Sequence, residues 1–252
     1  MAIGEGRTLN RFFVSGEPLS VNHVATVDTL ASQLSSVLRL NRGDHIVLLD
    51  GSGIEYTAQI QALSRHHAAA LVLSAQPCQA EPAIHLTLYQ CSLKQEKFEW
   101  VLQKGTELGV SRFVPVISTR SIVRPAETLR RKYDRWHAII REATEQCGRG
   151  RLPVLADPLE WPAAVSSLVG AGFLPWESAA ASVPLGATLT PSPLSILIGP
   201  EGGITSEEAQ LASTHGWQIV SLGPRTLRAE TAALAAVTIA MAHSGELGAR
   251  HA

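Results

Sequence analysis

Cysteine is scarce in this sequence: Cys78, Cys91 and Cys147 are the only three in 252 residues. They are odd in number, far apart and never in a Cys-x-x-Cys pair, which excludes a disulfide framework and a cysteine zinc site. A reducing cytoplasm is therefore the expected setting. No run of about 18 or more apolar residues occurs, so no segment reads as a membrane helix. The opening MAIGEGRTLNRFF has no long apolar stretch behind its charges, and no secretory signal is expected. No G-x-S-x-G elbow is present, which speaks against a serine hydrolase of that kind. The nine histidines include no helix-spaced pair with an acidic partner, and no metal is expected. Net charge is also missing: the formal value is −1, unlike a typical nucleic-acid binder.

What is present is apolar and well patterned. Hydrophobic residues make up 45% of the chain, enough for one large or two modest domains. The near-neutral average hides a local asymmetry. Residues 120–151 hold nine Lys and Arg against four Asp and Glu, which suits either a phosphate-facing patch or a solvated helix face.

Residues 1–75 predict a small β-rich module. RFFV (11–14), DHIVLLD (44–50), IEYTAQI (54–60) and ALVLSA (70–75) read as strands, with a tight hairpin at Gly51-Ser52-Gly53. Leu30, Leu34, Val37 and Leu38 share one stripe of a helix over 28–40. QPCQAEPA (76–83) has two prolines and little periodicity and reads as a linker. Over 84–252 the pattern becomes strand–helix alternation. Strands are predicted at 84–91, 112–117, 152–156, 172–176, 195–199 and 218–223, and helices at 95–108, 127–147, 159–169, 205–214 and 229–243. Near-continuous apolar strands separated by helices predict an α/β domain with a mostly parallel sheet. The stretch 178–193 reads as an exposed connection.

Two loops stand out. In SILIGPEGGIT (195–205) a buried strand runs into Gly199-Pro200-Glu201-Gly202-Gly203, and Thr205-Ser-Glu-Glu208 then forms a capping box. Glycines at a strand's carboxyl end let a ligand approach the backbone closely, although the same residues also make an ordinary tight turn. The order is not G-x-G-x-x-G and lacks a phosphate-loop lysine, which weakens dinucleotide and nucleotide-triphosphate readings. In LGPRTLRAETA (222–232) a second strand meets a helix and places Arg225, Arg228 and Glu230 together. These charges either brace the helix or face an anion, and two cations at a helix N-terminus oppose its dipole.

GPEGGIT, LGPRTLRAETA, QKGTELGVSRFVPVISTRS (103–121) and EATEQCGRGRLP (142–153) together resemble the bacterial ribosomal RNA small subunit methyltransferase E family. RFFV, VLRLNRGD and DGSGIEYTAQI resemble that family's N-terminal domain, so the likeness spans nearly the whole chain. Two positions depart from its pattern. Ser35 and Ser36 precede Val37-Leu38-Arg39 where relatives often carry histidine, and Trp176 stands before Glu177 where relatives tend to have histidine.

The resemblance implies a PUA-like barrel for residues 1–75 and a SPOUT-type parallel sheet with a C-terminal trefoil knot for 84–252. It implies a homodimer that methylates N3 of one uridine in 16S rRNA, free or in the assembled small subunit, with S-adenosylmethionine as methyl donor. It points to backbone groups of Leu174, Gly199, Gly202, Gly203, Leu222 and Leu227 for the cofactor. Removing the N3 proton needs an acceptor, for which Glu201 and Glu107 are candidates, and Arg228 suits stabilisation of the uridylate. Arg7, Arg11, Lys94, Lys104, Arg120 and Arg149 are the candidate RNA contacts. Phe12, Phe13, Tyr89, Phe98 and Trp100 are candidates for stacking on an unstacked base, with Phe98 and Trp100 better suited to the core. A non-catalytic RNA-binding or ribosome-assembly protein of the same fold, or an enzyme using another nucleoside cofactor, are the competing readings.

Overall fold

Alternation of inward and outward residues along the first 80 positions builds a five-stranded sheet. Its strands are β1 (Arg11–Phe13), β2 (Val24–Thr26), β3 (His45–Leu49), β4 (Ile54–Leu63) and β5 (Ala68–Pro77). Their order is β1-β3-β4-β5-β2, with β1 parallel to β3 and the other pairs antiparallel. The computed structural model from which these elements come describes residues 9–15, 18–94, 96–177, 183–187 and 193–248. It divides into two units: Met1–Glu81 with Thr144–Leu152, and Pro82–Ala143 with Pro153–Ala252.

In the first unit Ile46 and Leu48 pack with Leu34, Ala58, Ile60 and Val72, while Val47 and Leu49 pack with Phe13 on the other face of β3. The predicted turn joins β3 to β4. Gly51 and Gly53 adopt φ of 86° and 88°, a region open to glycine at little cost, and Asp50 Oδ1 accepts the Ser52 N–H at 3.0 Å.

The helix expected over 28–40 is shorter and irregular. A 3-10 turn (Asp28–Leu30) leads into a π-helical turn (Gln33–Val37), and Arg39 closes it at φ 54°. Ser35 Oγ donates to Ala31 O at 2.7 Å, a back-bond that competes with the helical ladder. The stripe is broken as a result: Leu34 is fully buried, whereas Val37 is 72% exposed.

Residues 144–152, expected from sequence in the second domain, belong to the first unit. Glu145 Oε1 accepts the Phe13 N–H at 2.8 Å, and the Cys78 thiol donates to Gly148 O at 3.0 Å. Arg151 reaches Ser52 O at 2.9 and 3.2 Å. Proximity along the chain does not reveal this return.

The second unit holds an eight-stranded sheet. Its strands are β6 (Leu86–Cys91), β7 (Arg112–Ile117), β8 (Val154–Leu155), β9 (Leu159–Glu160), β10 (Ala171–Pro175), β11 (Val183–Pro184), β12 (Leu194–Ile198) and β13 (Trp217–Ser221). Their order is β11-β13-β10-β12-β6-β7-β8, with β9 also on β7, and every described pairing is parallel. Six described α-helices accompany it: α1 (Lys97–Glu107), α2 (Ala126–Arg130), α3 (Tyr133–Cys147, its residues from Thr144 on counted in the first unit), α4 (Trp161–Ser166), α5 (Ser206–Thr214) and α6 (Ala229–His243).

Both faces of this sheet are buried, which explains the continuous apolar strands. Leu86, Leu88, Phe113, Ile196 and Ile198 face α1, α3 and α6, where Phe98, Trp136 and Val237 pack. Tyr89, Val114, Val116 and Leu197 face α4 and α5, where Trp161 and Ala212 pack. Each buried Val, Leu, Ile or Phe among these stabilises the fold by about 1.5–3 kcal/mol relative to exposure.

The predicted helix over 127–147 is interrupted between α2 and α3, and the strand over 152–156 shrinks to two residues. The stretch 178–193 lies largely outside the described residues. Its described part contains β11 and the buried Leu185, so it is not a purely exposed connection. Among the described residues no helix is long and apolar enough to cross a membrane.

Candidate functional site

Because β10, β12 and β13 are parallel neighbours, their carboxyl ends open at one sheet edge, where open α/β sheets bind ligands. The turn after β12 and the turn after β13 meet there and enclose, with residues 175–177, a cavity of about 680 Å³. That volume falls within the range of about 300–1,000 Å³ typical of small-molecule sites.

Local sequence explains each wall. At Gly199 a Cβ would lie 2.7 Å from Ile204 Cγ1, so only glycine permits the close return of the chain. Gly203 adopts φ 74°, and a Cβ there would meet Glu177 Oε1 at 2.8 Å. The turn is then pinned to α5 by the capping box. Thr205 Oγ1 accepts the Glu208 N–H at 3.2 Å, and Glu208 Oε2 accepts the Thr205 N–H at 3.0 Å. Arg228 is the N-cap of α6, with an extended backbone and no side-chain capping bond.

Charge in the cavity is divided. Lys97, at the start of α1, lies 3.3 Å from Glu201 Oε1 and 3.5 Å from Glu230 Oε1. The Lys94 N–H also donates to Glu201 Oε1, at 3.2 Å. Glu201 Oε2 makes no hydrogen bond among the described residues. Arg225 and Arg228 line the cavity, are exposed and make no ion pair among the described residues. The site therefore offers backbone N–H and C=O groups, apolar surface, an anchored carboxylate and two cations without carboxylate partners among the described residues. Cys91 ends β6 at the same edge, but burial pushes its thiol far above the usual range, which removes it as a nucleophile.

Of the cofactor candidates, Gly199, Gly203, Leu222 and Leu227 line the cavity. Leu174 does not. It is fully buried inside β10 and packs with Trp217, and Pro175, Trp176 and Glu177 form the wall instead. Gly202 also points away: its carbonyl accepts from Arg120 Nη1 at 3.0 Å, and a Cβ would lie 3.1 Å from Arg120 Cβ. Of the catalytic candidates, Arg228 and Glu201 line the cavity. Glu107 is not part of its wall; it lies in the last turn of α1, 2.7 Å from Lys104.

The candidate RNA contacts are scattered. Arg7 lies outside the described residues. Lys94 and Arg120 are exposed. Lys104 is occupied by Glu107, and Arg11 lies 3.4 Å from Glu55. Arg149 is 3% exposed, belongs to the first unit and lies 3.4 Å from Glu81, so burial and pairing turn it away from any phosphate. Among the stacking candidates, Phe12, Phe13, Tyr89 and Phe98 are buried, and Phe98 stacks on Trp136 at 4.4 Å. Trp100, expected in the core, is 45% exposed, because the buried stripe of α1 runs through Phe98, Val101, Leu102 and Gly105.

Lys97 and Glu177 are wall residues to which the sequence assigns no role. Lys97 stands 104 positions from Glu201, and no local pattern joins them. The departure at Trp176 points to an altered wall of the cofactor pocket, and Trp176 does line the cavity.

Known proteins agree with this geometry. The RNA methyltransferase domain family matches residues 80–241, and the RNA methyltransferase PUA domain family matches residues 34–73. The ribosomal RNA small subunit methyltransferase E of Synechocystis sp. is 37% identical over 217 residues, 82% of this chain and 70% of that protein. The protein of the same name from Bacillus subtilis is 28% identical over 95% of this chain and 98% of its own length. The crystal structure of the Neisseria gonorrhoeae ribosomal RNA small subunit methyltransferase E, bound to S-adenosyl methionine, superposes with a TM-score of 0.84 at 34% identity, covering 93% of this chain and 98% of that one. The parallel sheet, its carboxyl-edge cavity and these similarities lead to one conclusion: the chain belongs to the ribosomal RNA small subunit methyltransferase E family.

Proposed function

We propose that the protein transfers the methyl group of S-adenosylmethionine to N3 of a uridine in 16S rRNA of the small ribosomal subunit, acting in the cytoplasm as a homodimer. The observation that carries this reading is the convergence of the 199–203 and 222–229 turns on one cavity at the carboxyl edge of the sheet. The N. gonorrhoeae relative bound to S-adenosyl methionine supports the choice of ligand.

The residues present fit such a group. Gly199 and Gly203 leave the backbone open to a ligand, and Leu222 and Leu227 add apolar wall for an adenine ring. When bound, S-adenosylmethionine supplies an electrophilic methyl group; the rest of the work falls to this chain. Uridine N3 carries a proton at neutral pH that must leave before or during attack. Glu201 is suited to accept it. Lys97 and the Lys94 N–H hold its Oε1, which orients the carboxylate and leaves Oε2 for the proton. The uridylate then bears charge on O2 and O4. Arg228 at the head of α6, with no carboxylate of its own among the described residues, is suited to stabilise it.

Mass spectrometry of rRNA nucleosides from cells with and without the gene tests the reading. Loss of 3-methyluridine on deletion, with its return on complementation, is the expected result. An unchanged level removes the proposal. Light scattering of the purified protein should give twice the mass of one chain.

A further inference from the structure

A second cleft, of about 530 Å³, opens at the carboxyl edge of the same sheet, where β7 and β9 end. Ser118, Thr119, Arg124, Pro125, Glu160 and Trp161 are among its walls. Arg124 is exposed and makes no ion pair among the described residues. Glu160, also exposed, is the one acidic residue of these walls.

The loop that forms this cleft, residues 118–125, is tied to the glycine turn of the first cavity by two side chains. Arg120 Nη1 donates to Gly202 O at 3.0 Å. Glu208, in the first turn of α5 and 6% exposed, accepts the Thr119 N–H on Oε1 at 2.8 Å and the Thr205 N–H on Oε2 at 3.0 Å. Its carbonyl also accepts the Trp161 Nε1–H, at 3.1 Å. A buried carboxylate with one oxygen on each of two segments resists moving with one alone, because the abandoned N–H and the charge would lose their partner. A shift of the 118–125 loop is therefore felt at residues 202–205.

We propose that Arg120 and Glu208 are positioning residues that link the two clefts. RNA seated at the β7 end, with Arg124 on a backbone phosphate, and S-adenosylmethionine seated at the glycine turns each strengthen the binding of the other. The linkage rests on the methyltransferase reading above. It is reciprocal by thermodynamic necessity, so either ligand can report it.

The test is isothermal titration of the full-length protein with S-adenosylhomocysteine, alone and with saturating small ribosomal subunits from a strain lacking the gene. The expected result for the natural protein is affinity tighter by about 5-fold or more with subunits present, within the usual range for coupled sites. Arg120→Ala and Glu208→Gln should each bring that ratio below about twofold. Each ratio compares the same variant with and without saturating subunits. If Arg120 also binds a phosphate directly, its removal weakens subunit affinity but leaves the ratio unaltered. Glu208 is buried and its variant must first be shown to fold by thermal melting. Arg120 is exposed, and its variant carries the test even if Glu208→Gln unfolds. A ratio near one in the natural protein, or an unchanged ratio in Arg120→Ala, overturns the linkage. A protein that does not bind S-adenosylhomocysteine in either condition overturns the methyltransferase reading itself, and the linkage falls with it.

Discussion

In the first unit Arg11 and Arg149 each face a carboxylate at 3.4 Å, Glu55 and Glu81 respectively, whereas in the second unit Arg225 and Arg228 reach the cavity with no ion pair among the described residues. From sequence, all four share one reading, as cations available to an anion. Their surroundings separate them. A guanidinium already matched by a protein carboxylate is committed to that partner, and one left unmatched at a helix N-terminus, as Arg228 is, lies against the dipole and is best explained by a ligand that brings negative charge.

The largest effect that would sharpen this contrast is expected at Arg149. Arg149→Ala leaves Glu81 largely buried without its cation and should destabilise the fold by about 3–5 kcal/mol, measured by chemical denaturation. Subunit affinity should fall only as far as the folded fraction does; a specific loss of binding in a fully folded variant would erase the distinction. Next comes Arg228→Ala. It should lower turnover by about 10²–10³-fold while S-adenosylmethionine affinity stays within a few fold. Equal losses in turnover and cofactor affinity would make Arg228 a cofactor-binding residue instead.

A third expectation concerns Trp100, one helical turn beyond Lys97 on α1 and the sole exposed member of the five stacking candidates. Trp100→Ala should weaken RNA binding by about 1–3 kcal/mol with an unchanged melting temperature. Unaltered affinity would confine substrate recognition to charge. The smallest effect is expected at the glycine turn. Gly203→Ala forces a Cβ into φ 74° at about 1–2 kcal/mol and should weaken S-adenosylmethionine binding roughly tenfold in titration calorimetry. Gly202→Ala, at a residue that faces Arg120 rather than the cavity, should change cofactor affinity less and the RNA linkage more. The reverse order would exchange the parts assigned to these two glycines.

Much of the second unit is legible along the chain because its signals are local. The capping box at Thr205 and Glu208, the β7 run of apolar residues and the full length of α6 all rest on neighbours in sequence. Strand alternation and the Gly51–Gly53 turn do the same for the first unit. Departures from the expected pattern have an equally local cause. The helix expected over 28–40 has the right stripe, but the Ser35 back-bond and the π turn carry Val37 outward. The Leu174 side chain packs in the core of a sheet buried on both faces, so only its backbone is left to meet a cofactor.

From residue order alone come the strand–helix alternation, the parallel sheet it requires and the two glycine turns at strand ends. The third dimension decides which turn residues face the cavity, that Lys97 joins Glu201 and Glu230, and that Glu208 bridges two loops. It also decides that residues 144–152 return to the first unit. Periodicity reports a residue's relation to positions within a turn or two of it. Ion pairs and buried hydrogen bonds between residues far apart in sequence depend on how elements dock, which no local pattern encodes.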